Sequence, residues 1–427
     1  MLSVTAAEAI IFDLVPTLDT LKNGLSSDLE TPSHLEIVNL LASAGRILAT
    51  PVTGNLDFPH WDNSAMDGYA VHYADVEHCS PQQPVVLRIV EEIPAGKIPQ
   101  VAVQRGEAAR IFTGSMMPEG ADAIVIQETT QQEGDDKSSI WVLEAPNSRD
   151  FVRRQGAFYQ AGTSLLQAGI KISAPEMAIL AAVQCTQIPV YRPVKVAILS
   201  TGDELVTPDQ TLKPGQIVDS NQYALAALVQ QAGAVPILMG IIPDRPDLLR
   251  EAIAQAVSEA DIVLSTGGVS VGDYDYIDQL LTELGATIHV TSIAIKPGKP
   301  LTVATFAGEP RPVIYFGIPG NPASALVSFW RFVEPVIKRM SGLAQGWQPQ
   351  WVEAYTQRDL KADGKRECYI WGRIHLQEGK YQFTPAGGSH SSGNLINLAQ
   401  TNALAVVAIG TTLISAGASV QVLLTQD

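Results

Sequence analysis

The chain has 427 residues, 46% of them hydrophobic and 17% charged, a balance that excludes general disorder, and its length exceeds what one hydrophobic core serves, so about three or four domains are expected. Its formal net charge of −16 excludes broad contact with nucleic acid or anionic lipid, because either requires a basic face. Any anionic ligand must therefore meet positive groups gathered locally.

The N-terminal Met1-Leu-Ser-Val-Thr carries no basic n-region, and Glu8 and Asp13 interrupt the apolar stretch behind it, so no signal peptide is expected. No apolar run reaches the ~20 residues that span a bilayer. Cys79, Cys185 and Cys368 fit no CxxC pattern, which points to structural thiols in a reduced, cytoplasmic setting without membrane contact. From Ser33 to Ala49, the residues Leu35, Ile37, Val38, Leu40, Leu41, Ile47 and Leu48 recur mostly at helical spacing and predict an amphipathic helix, ended by Pro51 and Gly54. Over residues 51–149, the runs Val85-Val-Leu-Arg-Ile-Val, Ala123-Ile-Val-Ile and Ile140-Trp-Val-Leu alternate with turn-rich loops and predict a small β-rich domain. A helix from Ala174 to Cys185 follows, with Pro175 in its first turn. Residues 150–189 are expected to pack back on residues 1–50 as one discontinuous, α-containing domain.

From Pro193 the pattern changes to short apolar runs alternating with amphipathic helices. Strands are predicted at Val194-Lys-Val-Ala-Ile-Leu-Ser, Val235-Pro-Ile-Leu-Met-Gly, Asp261-Ile-Val-Leu-Ser and Pro312-Val-Ile-Tyr-Phe-Gly. Helices are predicted from Asn221 to Ala232, Asp247 to Ala260, Tyr276 to Leu284 and Ala323 to Met340. Repeated βα units with continuous apolar strands predict a Rossmann-like α/β domain over residues 190–345, built on a parallel sheet covered on both faces. Residues 346–427 return to short strands and Gly-rich turns and predict a C-terminal β-barrel or sandwich. The fold class is thus α/β multidomain.

In open α/β sheets, ligands bind beyond the carboxyl ends of the strands. Three loops there combine Gly, which lets backbone N–H groups approach a ligand, with hydroxyl or carboxylate side chains: Ser200-Thr-Gly-Asp-Glu-Leu, Ser265-Thr-Gly-Gly-Val-Ser-Val-Gly-Asp-Tyr-Asp and Gly317-Ile-Pro-Gly-Asn-Pro-Ala-Ser. Any one of them reads equally well as a turn. Three at the same end of one sheet read better as a phosphate-tolerant pocket with carboxylates on its rim. Ile295-Lys-Pro-Gly-Lys-Pro adds Lys296 and Lys299 in a Pro-bounded segment suited to phosphate or another oxyanion, against the plainer reading of a solvated basic turn. Upstream, Asp67 before Gly68 and Thr113 before Gly114 rank on their own only as polar loops.

Taken together, Asn63-Ser-Ala-Met-Asp-Gly-Tyr-Ala, Phe112-Thr-Gly, Ser200-Thr-Gly-Asp-Glu-Leu, Thr266-Gly-Gly-Val-Ser-Val-Gly, Lys296-Pro-Gly-Lys-Pro and Pro319-Gly-Asn-Pro-Ala-Ser occur in the order seen in the molybdopterin molybdenumtransferases. These are the MoeA-type proteins, which include the E domain of gephyrin. The resemblance runs from about residue 30 to the C-terminus, where Gly388-Ser-His-Ser-Ser is similar to the family's terminal motif. It implies a homodimer of four-domain subunits that uses magnesium to insert molybdenum from molybdate into adenylated molybdopterin with release of AMP. It also implies a site shared across the dimer, with residues 1–50 and 150–189 in dimerisation, and the molybdopterin adenylyltransferase and cofactor-receiving proteins as candidate partners.

On this resemblance Asp67, Thr113, Glu204, Asp244, Asp275, Lys296, Lys299, Pro319 and Pro322 stand at matching functional positions. Glu204 and Asp275 are the candidates for magnesium, with Asp67 or Asp244 nearby, and the two lysines for phosphate or molybdate oxygens. Gly202, Asp203, Gly267, Gly268, Ser270, Gly320 and Asn321 complete the expected pterin and phosphate contacts. Two departures stand out: Ala157-Phe158 replaces an acidic Glu-Asp pair common in the family, and Ser292 stands where some members carry a Lys. Molybdopterin adenylyltransferase and a non-catalytic dimeric scaffold are the competing readings.

Overall fold

Alternate residues of the central strands are committed to opposite faces, which is what a two-residue side-chain period dictates for a sheet buried on both sides. Val196, Ile198, Ile262, Leu264, Ile314 and Phe316 enter one core, and Ala197, Leu199, Val263 and Tyr315 enter the other. The structure, a computed structural model, describes residues 1–15, 34–132, 138–267, 274–308 and 311–425, with backbone alone at 274–276. The sheet runs in the order Val235–Ile242, Lys195–Thr201, Ile262–Thr266, Val313–Ile318, Pro300–Phe306, Thr287–Ser292. Its first four strands are mutually parallel. Pro300–Phe306 runs antiparallel to both its neighbours, so the expectation of a parallel sheet is corrected to a mixed one. The chain turns back from Thr287–Ser292 through the Lys-Pro-Gly-Lys-Pro turn, with no crossover helix to impose a parallel return.

Helices Pro246–Glu259 and Tyr274–Glu283 supply the second core, through Leu249, Ile253, Ala256, Ile277, Leu280 and Leu281. The first core is covered by Asn221–Gln231 and by a long helix that begins at Pro322–Ser328, widens into a π-helical turn at Phe329–Val333 and ends as Glu334–Met340. A further helix, Val4–Asp13, capped by the Ser3 side chain on the Ala6 N–H, packs on this core through Val4, Ala7, Ile11 and Phe12. Residues 1–15 therefore join the α/β layer and not residues 150–189, because the helix has an apolar face to bury and Arg331 to meet.

Arg331 is buried and held bidentately by Glu8, with N···O distances of 3.0 and 2.6 Å, while its Nε donates to the Tyr369 hydroxyl at 3.0 Å. Tyr369 belongs to the C-terminal barrel. There, strands Trp351–Thr356, Glu367–Gln377, Lys380–Pro385, Ala403–Val407 and Ser419–Leu424 close through pairing of Cys368–Gly372 with Ala403–Val407. Of the two terminal architectures expected, the barrel forms. The short strand Ile295–Lys296 adds to it beside Glu367 and Cys368.

The expected helix over 33–49 is overturned within the described residues. Leu35–Asn39 is a strand, paired antiparallel with Gln187–Tyr191, and a 3-10 turn follows at Leu41–Ser43. The β-branched Ile37 and Val38 suit that pairing better than a helix.

By contact density the chain divides into two units, Met1–Thr50 with Ala168–Ser173 and Gln187–Asp427, and Pro51–Gln167 with Ala174–Thr186. The second unit holds a six-stranded sheet in which the edge strand Ala123–Ile126 and the inner strands Gly68–Val71, Glu107–Ile111, Val85–Ile93 and Ser139–Val142 contribute Val125, Tyr69, Ala108, Leu87 and Ile140 to one core. Its helix Ala174–Ala182 stops three residues short of the expected end. Among the described residues, no helix is long and apolar enough to cross a membrane.

Candidate functional site

Because Lys195–Thr201, Ile262–Thr266 and Val313–Ile318 are adjacent and parallel, the loops that leave them converge at one end of the sheet. They border a cleft of about 700 Å³ lined by Glu204, Asp219, Asn221, Gly267, Gly320 and Pro322, among others. Glycine is required at two of these turns. A Cβ on Gly267, at φ +90°, would lie 2.3 Å from the Thr201 carbonyl oxygen, and Gly202, at φ +150°, holds a backbone conformation that other residues rarely adopt. Gly320 packs against Gly267, so backbone forms much of the wall.

Among the described residues two carboxylates reach the cleft, Asp219 and Glu204, and they differ. Both oxygens of Asp219 are engaged by Gln222, through its N–H at 3.2 Å and its amide at 3.1 Å, whereas Glu204 is exposed on the wall. Asn221 donates to the Gly320 carbonyl at 2.7 Å, but its own Oδ1 is buried without a hydrogen-bond partner. Among the described residues no Lys or Arg lines this cleft. Nor do three or more Asp, Glu, His or Cys side chains converge among them. A lone exposed carboxylate such as Glu204 would hold a hard cation only together with ligand oxygens and water.

A second cavity, of about 360 Å³, has the opposite character: Lys296, Arg358 and Lys361 line it with a single carboxylate, Asp359. The Lys296–Pro300 loop lies between the two, Lys296 and Pro297 facing the smaller cavity and Pro300 the larger. Within the loop, a Cβ on Gly298 would stand 3.1 Å from the Ser328 hydroxyl, which is buried and has no hydrogen-bond partner. The barrel segment around Gly387–Leu395 contributes to both cavities, and Ser392 accepts the Ala323 N–H at 3.0 Å. His390, packed 4.7 Å from the Trp371 ring, has its pKa lowered, chiefly by burial.

Of the residues expected at the site, Glu204, Gly267, Pro319, Gly320, Asn321 and Pro322 come together at the cleft. Asp203 accepts the Asp244 N–H at 3.2 Å outside the cleft lining. Lys296 faces the smaller cavity, and Lys299 is exposed. Asp67 and Thr113, in the other unit, form a pair of their own: Thr113 donates its N–H at 2.7 Å and its hydroxyl at 2.8 Å to one Asp67 oxygen. The Thr113 N–H, then its hydroxyl, hold the Asp67 carboxyl below its usual range. Gly268 and Ser270 lie outside the described residues, and Asp275 is described only as backbone in Tyr274–Glu283. Sequence reasoning missed Asp219, Ser220, Asn221 and Ser328. The first three precede or open a helix and read as capping residues, and Ser328 sits inside an apolar helical run that gives no signal.

The chain matches three family models: MoeA N-terminal region (domain I and II) over residues 2–184, probable molybdopterin binding domain over 197–339, and MoeA C-terminal region (domain IV) over 353–425. It is 59% identical over 423 residues to a molybdopterin molybdenumtransferase of Nostoc sp., covering 99% of this chain and 94% of that one. Identity to the Haemophilus influenzae protein of that name is 34%, over 87% of each chain. Among solved structures, a molybdopterin biosynthesis MoeA protein of Pyrococcus horikoshii superposes with a TM-score of 0.80 at 28% identity, covering 99% of this chain and all of that one. With glycine-walled loops at the sheet end and sequence identity extending over nearly its whole length, the chain belongs to the molybdopterin molybdenumtransferase family.

Proposed function

We propose that the chain transfers molybdenum from molybdate to adenylated molybdopterin with release of AMP, acting with magnesium as a cytoplasmic homodimer. The observation that carries this reading is the contrast of two cavities on either side of one loop, a cleft whose described lining holds carboxylates and no cation and a smaller cavity with cations gathered in it. The reaction needs both. Cleavage of the phosphoanhydride leaves charge on AMP, and a tetrahedral dianion must be brought close to the pterin sulfurs.

In this reading Glu204, with Asp275, holds magnesium, which when bound supplies charge neutralisation at the phosphate oxygens. The backbone around Gly267 and Gly320 lets phosphates approach closely. Asn221 offers its unpartnered Oδ1 to a ligand donor. Lys296 and Lys299 bind the oxyanion through their ammonium donors. Asp67 and Thr113 serve the cleft of the partner subunit, and Ala157-Phe158, in the same unit, leaves that unit without the acidic pair common in the family.

The test is AMP release from adenylated molybdopterin with molybdate and magnesium supplied or withheld. Release that requires both is expected. Release indifferent to molybdate would sink the transferase reading, and no release under any condition would favour the scaffold.

A further inference from the structure

Lys296 already has an occupant. Its ammonium donates to Asp363 Oδ2 at 3.1 Å, and the Arg366 guanidinium lies 3.9 Å from the same oxygen. Asp363 is held in place by its own turn, because the Lys365 N–H donates to Oδ1 at 2.9 Å. That backbone bond, then Lys296, keeps the carboxyl below its ordinary range, so it is ionised wherever the oxyanion is a dianion. The pair is nevertheless partly open to solvent, at 44% and 32% side-chain exposure, and such pairs are weak enough for a competing anion to displace. One carboxylate oxygen therefore stands between two cations, of which Lys296 lines the smaller cavity.

We propose that Asp363 is an internal counter-ion that holds the oxyanion's place at Lys296 and Arg366 and so limits how tightly the tetrahedral dianion binds. The inference rests on the reading that Lys296 receives the substrate oxyanion. Binding exchanges an intramolecular carboxylate for molybdate, and release is assisted when the carboxylate returns. Since the exchange depends on charge and not on the central atom, sulfate is affected in the same proportion as molybdate.

Equilibrium dialysis of the full chain with molybdate alone, and separately with sulfate, provides the test on wild type, Asp363→Asn, Lys296→Ala and the double variant. Asp363→Asn is expected to lower the molybdate Kd about two- to five-fold, with a similar shift for sulfate. Lys296→Ala raises the molybdate Kd, and in its background Asp363→Asn has a smaller effect. Asp363→Ser, which keeps an acceptor for the Lys365 N–H, gives the same direction should the Asn variant fold poorly. Unchanged or weaker binding in both Asp363 variants, with Lys296→Ala still weakening it, overturns the counter-ion while leaving the oxyanion site intact. Unchanged binding in Lys296→Ala removes the oxyanion reading itself and this inference with it.

Discussion

Glu204 and Asp261 are both carboxylates beside the same sheet, but their surroundings give them different work. Glu204 is exposed at the cleft wall, so exchanging it for Gln costs little packing, within about 0.5 kcal/mol of unfolding free energy. In the proposed reaction the same exchange removes a metal-holding charge. Glu204→Gln is therefore expected to lower kcat about a hundred-fold or more at an unchanged unfolding midpoint, and wild-type turnover would take this residue out of the site. Asp261 is built into the fold: it accepts from Arg192 and from the Lys195 N–H, each at 2.8 Å, and lies 3.4 Å from Arg311. Burial alone would raise its pKa, but the charge of Arg311 and the bonds from Arg192 and Lys195 outweigh it, and the net shift is downward. A depressed native pKa means stabilisation that is present above the unfolded value of about 3.9 and lost as pH falls through the native one. Asp261→Asn should cost about 3 kcal/mol at neutral pH, because buried Arg311 loses its counter-charge, and should flatten the acid limb of the stability profile. Urea unfolding at pH 7 and below pH 4 reads both effects.

At the scale of elements, the glycine-walled loops were legible because Gly and polar residues follow predicted strands, and strands at 195–201, 262–266 and 313–318 have unmistakable apolar runs. The antiparallel pair at 287–306 was not, since a strand's direction leaves no mark on its own residues. Leu35–Asn39 misled for a related reason: its partner, Gln187–Tyr191, lies some 150 residues away, and periodicity is a local signal. Asp363 sits in an Asp-Gly-Lys turn whose ordinary reading hides its reach to Lys296. Two loop and helix predictions follow. Gly267→Ala sets a Cβ against a fixed backbone oxygen at positive φ, so the loop must move, and a loss of about 2 kcal/mol with weakened binding in the cleft is expected; a thermal melt matching wild type would contradict it. Glu8→Ala leaves buried Arg331 without its carboxylate partner, Tyr369 being its remaining acceptor among the described residues, and chemical denaturation should register a loss of about 3 kcal/mol.

For the whole molecule, the proposed homodimer makes a quantitative claim about Asp67 and Asp275. If the two serve one site from different subunits, inactive Asp67→Ala and Asp275→Ala dimers that exchange subunits produce mixed dimers with one site doubly damaged and one intact. Random exchange makes about half the dimers mixed, so activity returns to roughly a quarter of wild type. No recovery, with exchange verified by native mass spectrometry, would place both carboxylates in the same subunit's site.

The clamp between Glu8 and Arg331 also sets an order of events on the ribosome. Helix Val4–Asp13 is synthesised well ahead of its cover, because Ile11 and Phe12 pack in a core drawn largely from residues 194–340, and the Phe12 carbonyl accepts from Arg339 at 2.6 Å. At roughly 5–20 residues per second, the helix must wait about 15–65 seconds for Arg331 and Arg339 to be made. Throughout that interval the nascent chain carries a segment whose apolar face lacks part of its final cover. Its first ten-residue element is therefore among the last to be sealed, and a chaperone that shields short apolar helices during translation would find its binding site at the very start of this chain.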